Sequence, residues 1–218
     1  MHKLDTQVKH YKYDTGFISF QEAVIAGNYE YVDELYSAIA NNTVVEFMYK
    51  PFTNEAKKRT VHPYFLKQYN NRWFLLGYNE GKESLSTFAL DRIQGKIKPL
   101  SKTYILPDGI FNAQEYFKDI IGVTHYPGRP AEKIVIQCSG NVAPYILTKP
   151  IHTSQEIMQR CNDGGITISL FLKHNYELVN NLLGFGKDVT VLQPAALAEE
   201  IKMQAKEVLE KYGNNAPE

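Results

Sequence analysis

The sequence predicts an α+β chain in two parts: a small β-barrel, then a ferredoxin-like βαββαβ unit. Three observations lead there. Between Arg59 and Ile93 the short apolar runs Thr60–Lys67, Trp73–Tyr78 and Ser86–Leu90 are separated by the polar turns Gln68–Arg72 and Asn79–Lys82, the pattern of successive hairpins. Strands this short, joined by tight turns, favour a curled sheet or barrel over a parallel sheet with crossover helices. Beyond Tyr126-Pro127-Gly128-Arg129-Pro130 the order becomes strand, helix, strand, strand, helix, strand, which is that of the split βαβ unit.

Residues 1–24 are mixed polar and aromatic, with Tyr11, Tyr13, Phe17 and Phe20 but no sustained period, and read as a linker or tail. A helix is predicted over Tyr29–Ala40, where Tyr31, Leu35, Ala38 and Ile39 share a face. Asn28 is its expected N-cap and Glu30, Asp33 and Glu34 complement its start. Val44–Tyr49 is the first barrel strand and Lys50–Lys58 the turn after it; Lys96–Leu100 closes the barrel, giving a first domain over 25–100. Residues 101–130 form a connecting segment, broken at Pro107 and Gly109, with one short helix near Phe111, Tyr116-Phe117 and Ile120-Ile121.

The second domain is expected over 131–213. Lys133–Gln137 is its first strand and Asn141–Leu147 its first helix. His152–Arg160 and Gly165–Leu172 pair across the turn Asn162-Asp163-Gly164. His174–Leu183 is a helix stopped at Gly184, and Val189–Leu192 is the last strand. Pro194, a residue favoured at helix starts, opens a final helix to about Tyr212. Its inner face is expected to carry Leu197, Ile201, Ala205, Val208 and Leu209.

Composition excludes several classes. At 218 residues, 44% hydrophobic and 22% charged, the chain is an ordinary globular protein able to bury a core. Its formal net charge is zero, so a nucleic-acid site would need local segregation of charge. Cys138 and Cys161 match no metal spacing and are too few for a disulfide framework. No apolar run approaches the roughly 20 residues of a membrane span, and the amino terminus lacks a signal-peptide core. A cytoplasmic protein without membrane contact is expected.

Enzyme signatures are missing. Gly184-x-Gly186 follows a helix instead of opening one, so it reads as a helix end and not a dinucleotide loop. There is no Gly-x-Ser-x-Gly elbow and no His-Glu-x-x-His pair. Histidines 2, 10, 62, 125, 152 and 174 lie without ligand spacing. No catalytic residue, metal or cofactor is expected. A binding role has more behind it. Between residues 50 and 72, Lys50, Lys57, Lys58, Arg59, Lys67 and Arg72 stand against the single acid Glu55. Tyr49, Phe52, Tyr64, Phe65 and Tyr69 are interleaved with them. Guanidinium and aromatic faces together suit a phosphate-bearing ligand with stackable bases. Solvated hairpin loops over an aromatic core would show the same pattern.

The motif itself discriminates further. Arg59, His62-Pro63-Tyr64, Leu66, Trp73-Phe74-Leu75, Gly77-Tyr78, Phe88 and Leu90-Asp91-Arg92-Ile93 resemble the signature of the WYL domain, with Trp-Phe-Leu in place of Trp-Tyr-Leu. The second half resembles the C-terminal extension of these proteins, at Pro144-Tyr145, Leu183-Gly184-Phe185-Gly186 and the closing helix. The resemblance implies the sensory part of a bacterial transcription regulator, with an SH3/Sm-like barrel and a C-terminal domain that makes intersubunit contacts in a homodimer. It also implies a pocket for a nucleotide or single-stranded nucleic-acid effector, and DNA binding through a winged helix-turn-helix. That element is expected to be absent here, since about 28 residues precede the first helix. Carried over, the ligand-binding candidates are Tyr49, Arg59, His62, Tyr64, Arg72, Ser86 and Arg92. Trp73 and Leu75 are expected to fill the barrel core. Ser86 and Ala89 stand where many members carry arginine, which removes up to two positive charges from the pocket wall. The alternative function is an accessory module that holds single strands without regulating transcription.

Overall fold

The computed structural model describes residues 29–106 and 112–214. The expected N-cap Asn28, the 1–24 tail and the breaks at Pro107 and Gly109 lie outside them. Helix α1 (Tyr29–Ala40) precedes five strands: β1 (Val44–Tyr49), β2 (Lys57–Tyr69), β3 (Arg72–Asn79), β4 (Ser84–Ala89) and β5 (Ile93–Leu100). They form one antiparallel sheet in the order β4-β3-β2-β1-β5. Between β4 and β5 a single 3₁₀ turn, Leu90–Arg92, carries the chain from one sheet edge to the other. No ladder joins those two edges, so the sheet is open where a closed barrel was expected.

Local chemistry explains the hairpins. Asn70 and Asn71 have φ of 45° and 58°, the two positive values that a tight two-residue hairpin demands and that asparagine tolerates. This lets β2 and β3 run longer than their apolar cores, out to the Tyr69–Arg72 pair. Inside the sheet's curve lie Val45, Phe47, Tyr49, Val61, Leu75, Phe88, Leu90 and Ile93, closed by Tyr31, Leu35 and Ala38 of α1. Phe47, Tyr49 and Phe88 meet edge-on, with Tyr49 and Phe88 centroids 5.1 Å apart. Leu75 is fully buried here and Trp73 packs against the cluster, while Phe74 points the other way.

The connecting segment covers the opposite face of the sheet. It includes helix α2 (Ala113–Phe117), capped by Asn112, which accepts hydrogen bonds from Gln114 and Glu115. The Phe117 ring packs 6.1 Å from Phe65 and lies 3.8 Å from Lys67 Nζ.

The second sheet contains β6 (Ala131–Cys138), β7 (Glu156–Arg160), β8 (Ile166–Lys173) and β9 (Val189–Gln193) in the order β7-β8-β6-β9, all antiparallel. Helices α3 (Ala143–Thr148), α4 (Tyr176–Leu183) and α5 (Ala195–Asn214) accompany it. Ile134, Ile136, Ile168, Leu170 and Leu172 pack against Ile146, Leu178, Leu182 and Leu197. Strand β7 is shorter than its sequence suggested. Residues 152–155 turn instead, with Ser154 N donating to His152 Nδ1 and Gln155 N to His152 O. The face expected to be buried along α5 holds only at its start: Leu197 is buried and Ile201 partly so, but Val208 and Leu209 are exposed. The helix outruns the sheet it packs on.

Candidate functional site

A cleft of about 1110 Å³ runs along β4, the free edge of the first sheet. At about 3.3 Å per residue, the six residues of β4 give it a length of about 20 Å. Its sheet-side wall comes from Tyr49, the β2–β3 hairpin (Tyr69, Asn70, Arg72, Phe74), Lys82, β4 itself and Arg92. The opposite wall comes from Tyr116, Val123, Thr124 and His125 of the connecting segment and from Tyr176, Glu177, Asn180 and Asn181 of α4.

Of the residues singled out from sequence, Tyr49, Arg72, Ser86 and Arg92 line this cleft, as do Phe74 and Ala89. Tyr49 is buried, its hydroxyl accepting from Ala89 N at 3.2 Å. Arg72 Nη1 lies 3.6 Å from Asp91 Oδ2. Arg92 stacks on Phe52, with Cζ 3.9 Å from the ring centroid, and its Nε is buried without a hydrogen-bond partner among the described residues. Asn79 Nδ2 donates to Ser86 Oγ at 3.3 Å, which orients this hydroxyl of the cleft wall.

Arg59, His62 and Tyr64 are placed elsewhere. Arg59 pairs with Phe47 across β1 and β2, outside the cleft. His62 and Tyr64 hold down residues 104–105. Ile105 N donates to His62 Nδ1 at 2.9 Å, Tyr64 Oη donates to Ile105 O at 2.6 Å, and Tyr104 Oη donates to Pro63 O. Three arginines do not converge; two do, joined by Lys82.

The far wall was not legible in the sequence. Glu177 fixes it: Oε1 accepts from Val123 N (3.1 Å), Thr124 N (3.0 Å) and Thr124 Oγ1 (2.8 Å). Asn175, buried at the start of α4, caps Leu178 N and donates to Ile121 O and Thr124 O. From the other side Lys67 Nζ donates to Gly122 O at 2.7 Å. Burial lowers the Lys67 pKa, opposed by the nearby Glu177 carboxylate. The one sequence signal was Asn175 directly before a helical run, which marks the cap and says nothing of a cleft.

His125, on the same wall, accepts from Lys173 Nζ at 3.4 Å. Burial lowers its pKa, with Lys173 adding to the effect and Asp119 opposing it. Burial likewise lowers that of His152, against Asp119 and a Lys118 backbone contact. Both rings bind a proton less readily folded than free. Stability should therefore rise with pH through the window at and below about 6.5, the unperturbed imidazole value. The urea midpoint is expected to fall between pH 7 and pH 5, and to fall less in a His125→Gln, His152→Gln variant. An equal fall in both proteins would remove these rings as the cause.

Family models match in two places, the WYL domain over residues 30–96 and the WCX domain over residues 130–209. Protein PafB of Mycobacterium leprae is 25% identical over 182 residues, covering 81% of this chain and 52% of that protein. PafB of Mycobacterium tuberculosis H37Rv is 24% identical over the same length and shares. The chain thus spans about half the length of the curated relatives it matches. Among solved structures, a CRISPR Cas-related protein superposes with a TM-score of 0.51 at 14% identity, over 85% of this chain and 52% of that one; this likeness is one of fold.

Proposed function

Because this is a WYL-domain protein in which a WCX domain follows the WYL domain, we propose that it is the ligand-sensing regulatory module of a bacterial transcription regulator. Its effector is a nucleotide or a short single strand, taken into the cleft along β4. The observation that carries this is the meeting of Arg72, Arg92 and Lys82 with Tyr69 and Phe74 on one wall: donors for phosphate beside aromatic faces for bases. Charge segregation supports it. Residues 44–106 hold eleven lysines and arginines against five acids, in a chain whose formal net charge is zero.

In this reading the open five-stranded sheet is an incompletely closed relative of the SH3/Sm-like fold, within a domain at 25–100. Residues 101–130 are the connector, and 131–213 are a ferredoxin-like domain through which a homodimer assembles. An occupant of the cleft touches both domains, so it favours whichever arrangement places its two walls at the right separation. A DNA-binding winged helix-turn-helix elsewhere in the regulator would read that arrangement, and the coupling free energy between the two sites would set the response.

Fluorescence anisotropy with labelled hexanucleotides at two salt concentrations tests the assignment. Three phosphate contacts predict a slope of log K against log salt near about −2 for a single strand. Arg72→Ala and Arg92→Ala should each weaken binding about tenfold and flatten the slope by about 0.7. Arg59→Ala, off the cleft, should change neither. Wild-type affinity in the Arg72→Ala, Arg92→Ala double variant would overturn the site.

A further inference from the structure

The two walls of the cleft differ in chemistry. The sheet wall holds the cations Arg72, Arg92 and Lys82; the α4 wall holds a carboxylate, Glu177, beside Tyr176, Asn180 and Asn181. Tyr176 is 61% exposed, with its ring open to contact, and Asn180 lies four residues on, on the same helical face. Both asparagines are exposed. Glu177 Oε1 is saturated by the connector, and its Oε2 has no hydrogen-bond partner among the described residues. Oε2 is buried behind the wall, α4 itself carries no cation, and Lys67 of the sheet side is a nearby counter-charge. The amino end of α4 offers a partial positive charge of its own, which Glu177 in the first turn offsets.

Resting on the function proposed above, we infer that the cleft orients its ligand: phosphates lie on the sheet wall, and α4 reads the bases with Tyr176, Asn180 and Asn181, preferring bases that present an amino group. A phosphate at the α4 wall would face Glu177, whereas at the sheet wall it meets guanidinium. The bases are left to face α4. There Tyr176 supplies a stacking surface that accepts any base. The asparagine amides supply one acceptor and two donors each. With the carboxylate on the same helix drawing their NH2 groups, the asparagines offer their carbonyl oxygens to the ligand, which favours the exocyclic amino group of cytosine over the carbonyl that uracil presents at the same ring position. The α4 wall belongs to the second domain, so base identity would act on the arrangement of the two domains and not on affinity alone.

Hexamers of deoxycytidine and deoxyuridine separate the terms, because their bases share a ring and differ only along one edge, amino against oxo at position 4 and an acceptor against N–H at N3. Anisotropy titrations of the whole chain should show the deoxycytidine hexamer binding about five- to tenfold tighter, at either salt concentration. Asn180→Ala, Asn181→Ala should bring the two ligands within about twofold while keeping the salt slope. Tyr176→Ala should weaken both by about tenfold, the loss of one stacking contact. Equal binding of the two hexamers by the wild-type chain, or a preference that survives the double asparagine variant, would overturn the inference and leave the sheet-wall site standing. Failure of both hexamers to bind the wild-type chain at low salt would overturn this inference together with the function it rests on.

Discussion

Replacing His62 with alanine is expected to destabilise the protein by roughly 3–5 kcal/mol, the combined effect of a buried cavity and an orphaned amide. The side chain is 1% exposed and both ring nitrogens are used. Ile105 N donates to Nδ1, so the ring proton sits on Nε2, which faces Glu80 Oε1 at 3.1 Å; the tautomer follows from this pattern of bonds. Glu80 also receives Lys102 Nζ, at 2.8 Å to Oε2, and the Tyr78 and Tyr104 rings lie 5.6 Å from the imidazole. One ring thus joins β2, the β3–β4 turn and the start of the connector. Alanine leaves the Ile105 N–H without its side-chain acceptor. Asparagine can present an oxygen near the Nδ1 position and should recover part of the loss. Urea unfolding followed by the fluorescence of Trp73, the single tryptophan of the chain, reports on the affected sheet. A His62→Ala cost below about 1 kcal/mol would show that residues 104–105 are held by other contacts.

His62 also marks where sequence reasoning stops. Its motif position singled it out as a ligand contact, yet its partners, Ile105 at 43 residues' separation and Glu80 at 18, are set by the tertiary path of the connector. Strands β1 to β4 were legible because alternation and turn chemistry are local: Asn70-Asn71 announces its own hairpin. Helix α1 and the second domain's element order were legible for the same reason. Closure of the first sheet was not, because it depends on whether β4 and β5 meet after the Leu90–Arg92 turn, and hydrophobic pattern carries no such information. The exposure of Val208 and Leu209 was hidden similarly, since the period of α5 continues after the sheet beneath it has ended. As for the site, Tyr49, Arg72, Ser86 and Arg92 came from one contiguous motif. The α4 wall came from a helix whose outward face, Tyr176, Asn180 and Asn181, reads in sequence as ordinary solvated surface.

Gly122→Val should both destabilise the chain and misplace that wall. Gly122 has φ of +78°, and a Cβ there would sit 2.5 Å from Glu177 Cγ and 2.8 Å from Cδ. The left-handed backbone alone costs an L-residue about 1–2 kcal/mol, and forcing an extra side chain into packed surroundings costs about 1–3 more. A flexible glutamate would ordinarily move aside. Here it is pinned by three hydrogen bonds from residues 123 and 124, while Lys67 holds the Gly122 carbonyl from the sheet side. The clash must break the clamp or shift α4. The expected loss is about 2–5 kcal/mol in urea unfolding, with faster proteolysis of residues 118–128 and weaker binding of the hexanucleotides. Glu177→Ala provides the control. In that background the steric part of the Gly122→Val effect should vanish and only the backbone cost remain, giving a coupling of about 1–3 kcal/mol between the two positions. A Gly122→Val effect of the same size with and without the Glu177 side chain would mean that the connector is not held against α4 by this contact. The two walls of the cleft would then be free to move independently, and a ligand bridging them would have no arrangement to select.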